Sequence, residues 1–331
     1  PYRRQRQMCI RDSLMNKSVM QATTVIGTSH KKNNKPVQDF STCMRIDKYI
    51  VLFTADGLGS SRHSDVAAKE LVRHSQEFVI EFNYNTCTIS DDVLPALLNV
   101  CFHNTNQWYQ SKYNKDLNDY LSTLDIAVLN TKSGRLFYAH SGDGGIITRD
   151  LYGEYHCITK EQKPQYMPAN YVYPFHKSDY WEFGQSENVS AVMIITDGLL
   201  DVFKHEFLKY GDNEVYTFLC ASILESAITP KSFNAYSKYI KRILTERRIT
   251  DTVTKKYETV FSNVHEEHMA NTMLESVTDD VTIASAILID MSQTPPLTDK
   301  AYYLEPDWKK LKEKREQDIL SKLNNVNKGA G

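Results

Sequence analysis

Blocks of apolar and β-branched residues recur along this chain at the length of strands. Runs at 19–28 (VMQATTVIGT), 39–46, 49–55, 124–130, 135–141, 145–149 and 154–158, followed by 189–195 and 281–289, predict strands. After the third run the period changes. Ser64 to Phe82 sets Val66, Ala67, Leu71, Phe78 and Val79 at helical spacing, with Ser64 read as the N-cap. A second helix is predicted from Asp91 to about Tyr113, with Val93, Leu94, Leu97, Leu98 and Cys101 on one stripe. Two successive antiparallel helices among so many strands predict helices laid outside stacked sheets, a layered α+β arrangement. A mostly helical stretch follows over about 203–275, and its segment YIKRILTERRITDTVTKKYE reads as a solvated helix face. Beyond the last strand, SQTPPLTDK leads to an amphipathic helix near 308–323 and a polar tail. No internal repeat or long low-complexity linker divides the chain. The expected organisation is one domain over 14–292 with a helical insertion at about 203–275, then a connector, helix and tail over 293–331.

Composition narrows the function classes. A formal net charge of -2 over 331 residues argues against bulk attraction to nucleic acid or an anionic membrane. No apolar stretch approaches the roughly 20 residues of a spanning helix. Six cysteines are scattered without a CxxC, which predicts reduced thiols in a cytoplasmic protein. Residues Arg3 to Ser13 (RRQRQMCIRDS) resemble the in-frame translation of a transposase adapter used in sequencing libraries. Residues 1–13 are therefore expected to be an artefact, with a native start that is missing or near Met15; the alternative is a natural basic arm.

The candidate chemistry lies where strands run out. YIVLFTADG ends at Asp56-Gly57, RLFYAHSGDG at Asp143-Gly144 and AVMIITDG at Asp197-Gly198, while Asp279-Asp280 opens the run VTIASAIL. Crowded carboxylates raise one another's pKa unless a cation sits among them, and oxygen ligands suit magnesium, manganese or calcium. Such a set supports metal-assisted phosphoryl hydrolysis without a protein nucleophile. Any single Asp-Gly is an ordinary turn signal; several in strand-end positions point to a site. His265-Glu-Glu-His268 is not HExxH and reads as an exposed helix segment, and no GxSxG elbow or P-loop is present.

The ordered blocks PVQD, ADGLGS, STLDIAVL, GDGG, TDGL and DDVT resemble the metal-dependent serine/threonine protein phosphatases of the 2C type, especially their compact bacterial branch. GTSHKKNNKPVQD at Gly27 to Asp39 is similar to the opening of that branch, and the resemblance spans roughly Val25 to Ile289. It implies a central antiparallel β-sandwich flanked by helices in four α-β-β-α layers. It also implies hydrolysis of phosphoserine and phosphothreonine by attack of a metal-bridging hydroxide, with two manganese or magnesium ions. By the same resemblance Asp56 bridges both metals, Gly57 supplies a carbonyl, and Asp197 and Asp279 complete the first metal's ligands. Asp143 matches the aspartate of a third, weaker ion, and Asp39 would orient metal-bound water. A phosphoprotein substrate, a serine/threonine kinase encoded nearby and a monomeric state are the implied partnerships.

Four departures stand out. Gln38 replaces the usual glutamate before Asp39, and Asp280 stands where relatives often have asparagine. The arginine that clamps phosphate would fall at Asn34, leaving His30, Lys32 or Lys35 to replace it. Leu58 stands where many eukaryotic members have histidine. The alternative to an enzyme is thus a pseudophosphatase, a regulatory binding module with weak or no hydrolysis.

Overall fold

The computed structural model describes residues 18–86, 89–163, 172–203, 220, 224 and 279–288. In chain order the elements are β1 (Ser18–Val25), α1 (Thr28–Lys32), β2 (Phe40–Ile46), β3 (Tyr49–Ala55), α2 (Ser64–Thr86), α3 (Leu94–Tyr113), β4 (Leu124–Asn130), β5 (Leu136–Ser141), β6 (Gly145–Asp150), β7 (Tyr155–Cys157), β8 (Glu182–Ser186), β9 (Val189–Ile195), α4 (Asp197–Phe203) and β10 (Val281–Leu288). Two five-stranded sheets form, ordered β1-β10-β9-β6-β7 and β2-β3-β4-β5-β8, and every pairing is antiparallel.

Strand β3 shows why the apolar runs are unbroken. All seven residues of YIVLFTA are buried, and alternate side chains feed opposite faces of the sheet. Ile50 and Leu52 meet Ala127, Leu129, Val192, Ile194, Ala284 and Ala286 between the sheets. Tyr49, Val51, Phe53 and Ala55 instead pack under α2 and α3, against Ala67, Leu71, Leu98 and Phe102. A strand serving two cores has no polar face to show. The outer face of the first sheet is covered too: Ile147, Met193, Ile195 and Ile283 are buried, α4 packs against β10, and the helical residues Cys220 and Leu224 are buried. The expected α+β sandwich is therefore the fold observed.

Several local expectations shift. Helix α2 does begin at Ser64, yet the Ser64 hydroxyl accepts a hydrogen bond from Gln38 Nε2 at 2.5 Å, so its use is tertiary rather than capping. Helix α3 starts at Leu94, not Asp91, and the Asp91 carboxylate accepts bonds from Tyr49 Oη (2.7 Å) and Asn130 Nδ2 (2.8 Å). Pro95 falls in the first helical turn, where its missing N–H costs nothing. The edge strand β8 and the short α1 carry no strong periodicity and were not predicted. Residues 1–13, nearly all of the expected 203–275 insertion, His265–His268 and the 293–331 region lie outside the described residues. No helix among the described residues is long and apolar enough to cross a membrane.

Register gathers the acidic residues. Phe40 pairs with Ala55, Leu124 with Ser141, Gly145 with Ile195, and Ile283 with Ile195. Antiparallel pairing thereby sets the start of β2, the end of β3, the β5–β6 turn, the end of β9 and the start of β10 at one end of the sandwich.

Candidate functional site

Asp56, Asp143 and Asp197 meet at that end, each offering a carboxylate oxygen within 4.8 Å of the others. Asp56 leaves the end of β3, held by its own N–H donating to Thr123 Oγ1 (2.9 Å) while its carbonyl accepts from Thr123 N–H and Ser122 Oγ. With the main chain satisfied on both sides, the carboxylate is the group left to face the cluster. Gly57 is required sterically: a Cβ there would lie 2.5 Å from Ser64 O and 2.6 Å from Gln38 O. Gly198 answers the same need, since a Cβ would collide with the Asp280 carbonyl. These glycines let the segments carrying Gln38, Asp56, Asp197 and Asp280 close together.

The electrostatics of the cluster are one-sided. Burial raises the Asp56 carboxyl well above the ordinary range, and the charges of Asp39, Asp197, Asp143 and Asp279 add to the rise. Asp39 is raised by burial and then by Asp280, while bonds from Asp56, Thr196 and Thr282 oppose the shift. Its Oδ2 accepts from Thr196 Oγ1 at 2.8 Å. Burial also raises Asp143, against the pull of Lys163, whose Nζ lies 3.4 Å from Asp143 Oδ2. Beside the group, Gln38 Nε2 donates to Ser64 Oγ, whereas the buried Gln38 Oε1 has no hydrogen-bond partner. Converging oxygen ligands, carboxylates that resist joint ionisation and an unpartnered amide oxygen fit a hard divalent cation.

The structure sorts the other expected residues. Asp143, expected at an accessory position, joins the three-carboxylate group; Asp279, expected among the core ligands, has an exposed side chain whose Oδ1 accepts the Asp280 N–H at 2.9 Å. Asp279 still adds charge at Asp56. Asp280 is the buried member of its pair and is fully engaged: Oδ1 accepts from Gly27 N–H (2.7 Å), and Oδ2 from Gln38 N–H (2.6 Å). His30 Nδ1 lies 3.0 Å from the same Oδ2, so this buried imidazole faces Asp280 instead of standing out toward substrate. An acceptor-only carboxylate suits those donors better than an asparagine would. Lys32 and Lys35 are exposed.

Sequence reading missed Lys163 and the pair formed by Asp125 and His140. Lys163 lies twenty residues past Asp143 and carries no local signal. Asp125 and His140 had one: each interrupts a buried apolar strand. They sit opposite one another in register, His140 Nδ1 and Asp125 Oδ1 being 2.6 Å apart. Burial works against the His140 imidazolium, yet Asp125 beside it carries the His140 pKa above its ordinary value. A second trio, Asp150, Glu154 and His156, collects at the β6–β7 hairpin.

Residues 26–229 match the sequence model of the family described as Protein phosphatase 2C. No curated protein matches the chain. Among solved structures the fold is similar to the serine/threonine phosphatase Stp1 from Staphylococcus aureus, with a TM-score of 0.52 at 13% identity, covering 81% of this chain and 94% of that one. A bacterial serine phosphatase is similar with a TM-score of 0.50 at 13% identity, covering 81% of this chain and 98% of that one. The family match spans well over half of the chain and includes Asp39, Asp56, Asp143 and Asp197. This chain belongs to the protein phosphatase 2C family.

Proposed function

We propose that the chain is a metal-dependent protein phosphatase that hydrolyses phosphoserine and phosphothreonine. The observation that carries this reading is the convergence of Asp56, Asp143 and Asp197, with the charge of Asp279 and Asp39 close by and Lys163 set against Asp143. When bound, manganese or magnesium ions supply positive charge for phosphate oxygens and acidify a water at neutral pH. Asp56 and Asp197 would be the principal ligands, with Asp279, whose charge acts at Asp56, as a further one. Asp39, held by Thr196 on Oδ2 and adjacent to Asp56, is the group able to take up a proton on the buried side. With His30 turned to Asp280, the exposed Lys32 and Lys35, together with Lys31, are the cations left on and just after α1 to meet substrate phosphate. The substrate is a phosphoprotein, and a kinase encoded nearby is its proposed source.

A second reading, a binding module with little hydrolysis, is favoured by Gln38, which brings an amide where a charge would strengthen cation binding. One assay separates the two: hydrolysis of an aryl phosphate and a phosphothreonine peptide with manganese, by wild type, Asp197→Asn and Gln38→Glu. Turnover in the wild type that disappears in Asp197→Asn supports the enzyme. Turnover that appears only in Gln38→Glu supports the binding module.

A further inference from the structure

Asp143 differs from its neighbours in meeting a cation that the chain itself supplies. Lys163 Nζ lies 3.4 Å from Asp143 Oδ2 and 3.5 Å from Glu161 Oε2. Asp143 is only 4% exposed there, against 31% for the lysine, so the ammonium caps the carboxylate from the solvent side. The backbone before the lysine is laced to the aspartate's own loop. Gly142 N–H donates to Gln162 Oε1 (2.9 Å), Gln162 N–H donates to Gly142 O (2.8 Å), and Gln162 Nε2 donates to His140 O (3.4 Å). Two residues earlier, the Lys160 carbonyl lies 3.1 Å from His140 Nε2. Residues 160–162 are thereby registered against 140–142, which brings residue 163 to residue 143.

We infer that Lys163 is a built-in cation for Asp143, occupying by charge the position that an accessory divalent ion would otherwise need. The inference rests on the reading of Asp56, Asp143 and Asp197 as a metal centre. A lysine ammonium is a compact point charge, and two carboxylates suit it. A carboxylate oxygen already paired with an ammonium is a poorer ligand, and the ammonium repels a second cation placed beside it. The chain therefore binds its weakest divalent ion less tightly than its carboxylate count implies.

Manganese binding, followed by the electron paramagnetic resonance signal of free Mn2+, tests this without reference to turnover. Lys163→Gln is expected to bind the weakest class of Mn2+ about tenfold more tightly than wild type. Lys163→Arg, which keeps the charge, stays within about twofold of wild type. Adding Asp143→Asn to Lys163→Gln cancels the gain. Lys163→Met repeats the charge loss with the stem retained, should the glutamine variant fold poorly. Superimposable isotherms for wild type and both neutral variants, or a gain that survives Asp143→Asn, overturn the role of Lys163 while leaving the metal centre intact. Absence of Mn2+ binding in wild type and variants alike overturns the metal centre as well.

Discussion

Near the two ends of β6 lie two groups of three ligand side chains, and they are built in opposite ways. Asp56, Asp143 and Asp197 gather beside the strand's start, whereas Asp150, Glu154 and His156 gather at its far end; each trio fits within 4.8 Å. The far trio carries its own compensation. Asp150 Oδ1 accepts from Tyr152 and Glu154 N–H at 2.8 and 2.9 Å, and His156 Nε2 lies 3.7 Å from Asp150 Oδ2. Water reaches Glu154 and His156 as well. In the near trio Lys163 stands beside Asp143, yet burial and like charges push Asp56 toward the protonated form. Proximity of ligands is thus a poor sign of a metal site by itself; unmet charge away from water is the better one.

The largest expected effect comes from removing that charge. Asp56→Asn and Asp197→Asn are expected to lower manganese-dependent turnover by about a thousandfold or more, and to raise the melting temperature of the chelated protein by relieving repulsion. Steady-state kinetics and thermal unfolding in EDTA read the two effects separately. A variant that loses activity and is also less stable without metal would mean that the carboxylate is structural.

A compensated buried pair should behave in the reverse manner. Asp125→Ala leaves the buried His140 imidazole without its carboxylate, with only the Lys160 carbonyl contact at Nε2 kept, and is expected to cost about 3–5 kcal/mol in chemical unfolding. The pair also sets a pH dependence. Because Asp125 raises the folded-state pKa of His140, its contribution is complete below the unfolded value of about 6.5 and is lost as pH rises through the folded value. His140→Gln is expected to flatten the fall in stability between those two values; an unchanged slope would assign the pH dependence to other groups.

Smaller effects sharpen the contrast. Gln38→Glu adds a charge where an amide oxygen has no partner, and is expected to tighten Mn2+ binding roughly tenfold in the same titration. Asp150→Asn is expected to leave Mn2+ binding unaltered and to shift stability by less than about 0.5 kcal/mol, because the far trio is solvated and internally paired. A loss of metal affinity in Asp150→Asn would erase the distinction between the two ends of β6.

Much of the fold was legible because burial leaves a local trace. Eight of the ten strands among the described residues match the apolar runs with ends shifted by no more than a residue or two, and the first run extends too far at its C-terminal end, as α1 begins at Thr28. Strand β8 escaped because EFGQS alternates weakly and pairs on one edge only. At the site, Asp56, Asp143 and Asp197 were legible as aspartates closing apolar runs. Asp280 was read as a substituted neighbour of Asp279, and its bonds to Gly27 and Gln38 span more than 240 residues of chain. His30 was read as a phosphate contact because nothing in GTSHKK indicates a buried carboxylate opposite it.

The sequence by itself determined which strands end in a carboxylate and in what order, since hydrophobic period and turn chemistry are short-range properties of the chain. Only the tertiary structure decided which of those carboxylates stand uncompensated. Charge acts through space, and antiparallel register sets Asp56 among other acids, closes Asp280 against His30, and lays the backbone of Gln162 beside Gly142 so that Lys163 reaches Asp143.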